Sequence, residues 1–434
     1  MLDIEAAGAK IASLDTRRYT GRVVKIVGLA VEATSPSARV GDIVTIRMPR
    51  GNRSVDAEIV GFKDSLAQLM PYGSLDGAGL GCAVEYSDRT LTIPVGESFL
   101  GRVLDPLGRP MDDKSAPEPA AWYPADSEPR NPLKRERIHS ALPLGVRAID
   151  GMLTAGVGQR LGIFAGSGVG KSTLLGMMAR RSDAEVNVIV LIGERGREVL
   201  DFIERDLGDG LAKSVLIVAT SDQPALLRLK SALTGSAVAE YFRDRGKNVL
   251  LMMDSLTRFA MAQREIGMAM GEPPVSRGYP PSVYTLMPRL LERAGTSERG
   301  SVTGLYTVLV EGDDLNEPVS DTARGILDGH IVLSRQIANT RYPPIDVLAS
   351  VSRVMPDVVT PEHLENAQEL RRLISIYGEA EDLINIGAYR EGANAEIDRA
   401  VKLRSGITEF LRQSANEEAG FETTLDRMKA IAES

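Results

Sequence analysis

The chain has 434 residues, 43% hydrophobic and 25% charged, enough for about three domains of ordinary soluble composition. A formal net charge of −8 argues against an extended nucleic-acid footprint and against a polybasic membrane anchor. The single cysteine rules out an intrachain disulfide, and His139, His330 and His363 lack zinc-ligand spacing. No apolar run approaches the ~18 residues of a membrane span. The N-terminus has neither a basic start nor a long apolar stretch, so no secretory signal is expected and the chain reads as cytoplasmic.

Residues 1–17 predict a short helix, with Ile4, Ile11 and Leu14 near one face. From Tyr19 to Ile93 short β-branched runs follow: Gly21–Val27, Asp42–Met48, Ser54–Phe62 and Arg89–Ile93, separated by Gly, Pro, Ser and Asp. Their close spacing without helices predicts a small antiparallel barrel. Aromatics are few, so the barrel is expected to serve structure or subunit contact rather than base stacking. Cys82 reads as a small buried apolar residue.

Val95 to Met111 is a Gly/Pro-punctuated turn region, and Asp112 to Pro143 a proline- and charge-rich connector. Trp122 and Tyr123 are expected to pin that connector against the core. From Leu144 to about Val354 apolar strands alternate with helical segments. The strands are Leu161–Phe164, Val186–Ile192, Ser214–Val218, Val249–Met253 and Leu305–Val310. This predicts an α/β, mostly parallel, doubly wound sheet. From Pro361 the period switches to helix, and about three helices are expected. The domains are therefore placed at 1–93, 94–356 and 357–434.

Gln159 to Met178 carries the strongest chemical signal. An apolar strand runs into a glycine-rich turn over Gly166, Ser167, Gly168, Val169 and Gly170, and Lys171, Ser172 and Thr173 then open an apolar helix. That context makes a phosphate-binding loop: backbone N–H groups curl around an anion and the helix dipole adds positive potential. Lys171 would reach the β- and γ-phosphates and the Ser172 hydroxyl would hold Mg²⁺. Ala165 stands where the pattern has its first glycine.

Ligands of open α/β sheets sit beyond the carboxyl ends of strands. Asp254, after Val249–Met253, suits a Mg²⁺-binding acid. Glu194, after Val186–Ile192, suits a carboxylate that orients and deprotonates the attacking water. Arg195 would steady the γ-phosphate and Glu198 would reach the Mg²⁺ shell. A plain salt-bridge network reads equally well for those two. Arg258 and Arg353 are further cations of interest, and the residues alone make Arg353 an ion-pair partner at a domain edge.

Several stretches resemble the catalytic subunit of the rotary ATP synthase superfamily, most closely the ATPases of flagellar and virulence type III secretion. They are Gly145–Gly151, the phosphate loop, Gly193–Glu198, Pro273–Ser282, Val310–Pro318, Ile326–Arg335 and Pro343–Ser352. The resemblance implies a RecA-like phosphate-loop ATPase core flanked by the small β-barrel and the C-terminal helical domain. It implies ATP and Mg²⁺ as cofactors and Glu194 as the catalytic glutamate. Arg353 becomes an arginine finger given to a neighbouring subunit, Tyr342 an adenine-stacking ring, and Phe421 that ring's C-terminal partner.

The resemblance also implies a homohexamer, a stalk-like regulator, a central coiled-coil stalk, and export substrates with chaperones. No nucleic-acid partner is expected. Association with the membrane would be peripheral, at its inner face, through the export gate. The Gly267–Pro281 loop would face the ring channel or pack at a subunit interface. The expected function is Mg²⁺-dependent ATP hydrolysis energising flagellar protein export. The alternatives are a virulence injectisome ATPase, a proton-linked rotary subunit, a non-hydrolysing assembly scaffold and an RNA translocase.

Overall fold

The computed structural model describes residues 19–35, 38–49, 53–310, 314 and 317–434. The helix expected over 1–17 lies outside the described residues, as do Glu311–Asp313, Leu315 and Asn316 of the Val310–Pro318 motif. The chain divides into two compact units. One runs to Leu91 and takes in Ala269–Gly271; the other is Thr92–Met268 with Glu272–Ser434.

The first unit is a closed barrel of β1 (Tyr19–Val27), β2 (Ala30–Thr34), β3 (Asp42–Arg47), β4 (Ser54–Lys63), β5 (Leu66–Pro71) and β6 (Ala83–Thr90), ordered β1-β2-β5-β4-β3-β6. Alternation drives it. In β3, Val44 and Ile46 are fully buried while Thr45 and Arg47 are not. Ile59, Leu69, Val84 and Cys82 complete the core. The sequence reading misses β2 and β5. The β4–β5 hairpin turns on Asp64 and Ser65, at φ 48° and 69°, without the Asn-Gly that advertises such a turn. The expected strand Arg89–Ile93 is divided. It covers the end of β6 and the start of β7 (Thr92–Val95), which pairs instead with β9 (Ala121–Pro124) in the second unit.

The second unit is built on a nine-stranded sheet. Its strands are β8 (Arg102–Leu104), β10 (Arg160–Ala165), β11 (Val186–Glu194), β12 (Ser214–Thr220), β13 (Asn248–Asp254), β14 (Gly295–Thr296), β15 (Ser301–Leu309), β16 (Gly329–Leu333) and β17 (Ile345–Ser352). The order is β17-β16-β10-β15-β13-β11-β12-β8, with β14 pairing β15. Pairings are parallel except β16–β17 and β14–β15. The central strands are buried on both faces, as their unbroken apolar runs require. β15 starts four residues before its expected beginning at Leu305. Polar Ser301 and Thr303 hide there, satisfied by Asn248 Oδ1 at 2.9 Å and by the Gly158 N–H at 2.8 Å.

The connector is anchored by Tyr123, not by Trp122. Tyr123 meets the Tyr241 ring edge-on at 5.7 Å, whereas Trp122 points outward and is 61% exposed. Adjacent residues of strand β9 face opposite ways, so one aromatic must be given up to solvent. Arg293 ties the same segment down by donating to the Ala125 carbonyl at 2.7 Å while forking onto buried Glu240.

Helices Pro361–Asn385, Ala395–Leu411 and Phe421–Ala432 form the C-terminal part, the first two capped by Thr360 and Asn394. Phe410 and Met428 pack on Gly151, where a Cβ would come within 2.9 Å of the Phe410 ring. Fully buried Gln413 adds polar specificity. It accepts from the Arg147 N–H at 2.8 Å and donates to the carbonyls of Gly145 and Glu417 at 3.0 Å each.

Candidate nucleotide site

Beyond the carboxyl ends of β10, β11 and β13 lies a cavity of about 980 Å³. Gly166, Ser167, Gly168, Gly170, Lys171, Ser172 and Thr173 form one wall. Gly168 and Gly170 stand at φ 79° and 89°, a curl that other residues resist. A Cβ on Gly170 would also lie 2.8 Å from the Tyr342 ring, whose hydroxyl donates to the Gly170 carbonyl at 3.2 Å. Ala165 is harmless because it is the last residue of β10, paired with Leu309 and Leu333, where no positive φ is needed. Val169 is placed differently from its neighbours: its side chain is buried in the core, so only its backbone can serve an anion.

The acids arrive from the next strands. Gly193, at φ 69°, coincides with a register break between Ile192 and Glu194, a bulge that re-aims Glu194 into the cavity. Asp254 ends β13 opposite Leu191 and is 3% exposed. It pairs with Lys171 and accepts from the Thr307 hydroxyl at 2.8 Å. Burial first, then the nearby Asp254 charge, pushes Glu194 up to about 7, against the opposing pull of Lys171. Glu198 adds to the upward push. Arg195 and Glu198 both line the cavity and pair with each other at 3.2 Å.

The donor set on hand for a cation is all oxygen: the Ser172 hydroxyl and the carboxylates of Asp254 and Glu198. That suits a hard divalent cation such as Mg²⁺ and not a soft one.

Arg258, Arg264, Arg277, Tyr279 and Arg335 also line the cavity. Of these the sequence reading singled out Arg258 alone. Arg335 donates to the Ser167 carbonyl at 3.4 Å. It closes the Ile326–Arg335 motif, which was the signal available for it. Arg277 and Tyr279 come from the Gly267–Pro281 segment, which therefore turns part of itself toward the cavity.

Phe421 is not brought there. It opens the last helix and meets His363 edge-on at 6.1 Å. The C-terminal segment beside Tyr342 is instead that of Gln413, whose N–H donates to the Tyr342 carbonyl at 2.8 Å. Arg353 also lies elsewhere. Its N–H donates to the Asp328 carbonyl, and the Asp328 N–H donates in turn to that of Arg160, at the opposite end of β10 from the phosphate loop.

A phosphate loop at the end of one parallel strand, with acids closing two others, defines a phosphate-loop ATPase of the α/β class. The chain belongs to the ATP synthase alpha/beta family, in its flagellum-specific and type 3 secretion branch. The family's nucleotide-binding domain matches residues 145–352, and the T3SS EscN ATPase C-terminal domain matches residues 359–430. The flagellum-specific ATP synthase of Bacillus subtilis is 49% identical over 97% of both chains. The type 3 secretion system ATPase of Xanthomonas euvesicatoria is 49% identical over 98% of this chain and 96% of its own. The assembled ATPase EscN of the enteropathogenic E. coli type III secretion system superposes with a TM-score of 0.90. It shares 46% identity, covering 95% of this chain and all of that one. A second EscN structure, in complex with its central stalk EscO, gives a TM-score of 0.88.

Proposed function

We propose that this chain hydrolyses Mg²⁺-bound ATP between subunits of a homohexameric ring and so energises protein export through a flagellar type III apparatus. The observation that carries the reading is Glu194, a carboxyl held near neutral pKa at the mouth of the phosphate loop. A base poised there takes a proton from an attacking water most effectively near pH 7. Gly166–Gly170 and Thr173 cradle the phosphates through backbone N–H groups and the helix dipole. Lys171 leaves Asp254 for the β- and γ-phosphates. Ser172 and Asp254 would hold Mg²⁺, with Glu198 near its shell; the ion would neutralise charge on the phosphate oxygens. Tyr342 offers the adenine a face, while Phe421 has no contact supporting a share in that role. Arg195 steadies the γ-phosphate.

Arg353 acts on a neighbour's nucleotide. It sits at the far end of β10 from its own phosphate loop and is exposed. A stalk-like regulator, a central stalk, and substrates with chaperones belong to this reading, supported by the likeness to EscN bound to EscO. So does a cytoplasmic place at the inner face of the membrane: no helix among the described residues is long and apolar enough to cross one. Division at 93/94 and 356/357 is part of the same proposal.

Phosphate release by the purified protein, with Mg²⁺ and ATP and lost in Lys171→Ala, tests the reading; its absence in an assembled ring would overturn it. The injectisome alternative is favoured by the likeness to the Xanthomonas enzyme and EscN. Co-purification with flagellar or with injectisome export components separates the two.

A further inference from the structure

Arg353 has a support that the site chemistry does not use. Its N–H donates to the Asp328 carbonyl at 3.0 Å, and its guanidinium to the carbonyls of Leu327 and Arg324 at 3.4 and 3.5 Å. Asp328 is itself locked. Its carboxylate accepts from the Arg160 N–H at 3.0 Å, from Arg160 Nε at 3.1 Å and from an Arg160 terminal nitrogen at 3.2 Å. Its own N–H donates to the Arg160 carbonyl at 2.8 Å. Gln159 Nε2 reaches both the Asp328 carbonyl and Ser352 Oγ at 3.1 Å, and Ser352 Oγ donates to the Thr154 carbonyl at 2.9 Å. Arg160 is gripped from its other side by Glu292.

We propose that Asp328 is a positioning residue for Arg353: through Arg160 and Gln159 it fixes the arginine to the start of β10, the strand whose other end becomes the phosphate loop. The inference rests on the trans reading of Arg353. β10 has six residues, so the loop and the arginine stand about 20 Å apart on one rod of parallel sheet. Such a rod is stiff, being hydrogen-bonded on both sides to β15 and β16. A subunit that grips its own nucleotide at one end therefore presents its arginine to the neighbour's from a fixed seat at the other. Without the clamp the exposed guanidinium hangs on two carbonyls, those of Leu327 and Arg324, at the end of a long side chain. Misplacement by about 1 Å costs about a hundredfold in rate where a charge must meet a transition state.

The test is a double-mutant cycle in assembled rings, with kcat and KM for ATP measured separately. Asp328→Ala is expected to lower kcat about tenfold or more with KM within twofold. Asp328→Asn, which keeps an acceptor for the Arg160 N–H, should recover most of that loss. In an Arg353→Ala background neither substitution should lower kcat more than twofold further. Multiplicative losses in that background would overturn the proposal, as would a raised KM with kcat intact, because either would put Asp328's effect outside Arg353. If Asp328→Ala does not assemble, Gln159→Ala, which frees the Asp328 carbonyl, takes its place in the cycle: a kcat loss that multiplies fully with that of Arg353→Ala sinks the proposal. If Arg353→Ala alone leaves ring turnover unchanged, the trans reading falls and this inference falls with it.

Discussion

Replacing Glu194 by Gln keeps the side chain's size and bulge position and removes the proton acceptor. General-base catalysis is worth about 10²–10⁴ in rate, or ~3–5 kcal/mol, so turnover should fall by that factor while ATP binding persists. The pH profile is sharper still. A carboxyl near 7 is about nine-tenths ionised at pH 8 and about one-tenth at pH 6, so wild-type kcat/KM should fall about tenfold between them. The residual activity of the Gln variant should lack this step.

Stability moves the other way. Glu194 rises from 4.5 to about 7 on folding. The folded chain thus holds a proton that the unfolded chain has already released, and stability falls as pH climbs through that window. The full shift corresponds to ~3 kcal/mol; allowing for the part of the carboxyl still in water leaves ~1–2 kcal/mol. Glu194→Gln should therefore melt ~1–3 °C higher than wild type at pH 8 and no higher at pH 4.5. Phosphate release across pH 5.5–8.5, fluorescent-nucleotide binding and melting scans supply the readouts. Near-normal turnover with an unchanged pH profile would refute the assignment.

Lys171→Ala should abolish nucleotide binding and turnover together. It should also lower the melting temperature at pH 8, because buried Asp254 loses the cation it pairs with. Gly170→Ala forces a Cβ against Tyr342 at φ 89° and should weaken nucleotide binding at least tenfold in equilibrium titrations while circular dichroism stays native. Arg353→Ala should bind nucleotide normally as a monomer yet gain no activity on assembly, read as turnover against protein concentration. Gln413→Ala removes buried bonds to three backbone groups and should cost ~2–4 kcal/mol, visible as earlier melting and protease release of the C-terminal helices.

The sheet is legible where its strands are buried on both faces. Val186–Ile192 and Val249–Met253 can only be interior, and their terminal acids then point to one place. The edges are not legible. β17 alternates imperfectly, and β8 has three residues, with its Arg102 buried in a fork onto Asp112. The site divides in the same way. Lys171, Ser172, Glu194 and Asp254 follow from local order, because each sits at a strand end or a helix start. Arg277 and Arg335 do not, because the segments that carry them fold back from distant sequence, and Arg264 does not because it is one polar position among several on the helix Leu256–Ala269. Phe421 shows the converse: an aromatic at about the right distance from the motifs is drawn to His363, whose ring is bonded to the Gly151 carbonyl at 2.9 Å.

That division bears on how one chain can serve two sites. The groups that bind and cleave a nucleotide cluster where β10, β11 and β13 finish, and they are satisfied inside one subunit: Lys171 by Asp254, Asp254 by Thr307, Arg195 by Glu198. Among the described residues Arg353 has no carboxylate hydrogen-bond partner, only carbonyls. A cation kept on carbonyls retains its full charge for an anion arriving from outside, whereas one already forked onto a carboxylate would have to break that pair first. The aspartate beside it spends its charge on Arg160 instead. The same backbone thus holds Arg353 firmly in place while leaving its charge uncommitted, the combination needed if hydrolysis is to wait for a neighbouring subunit.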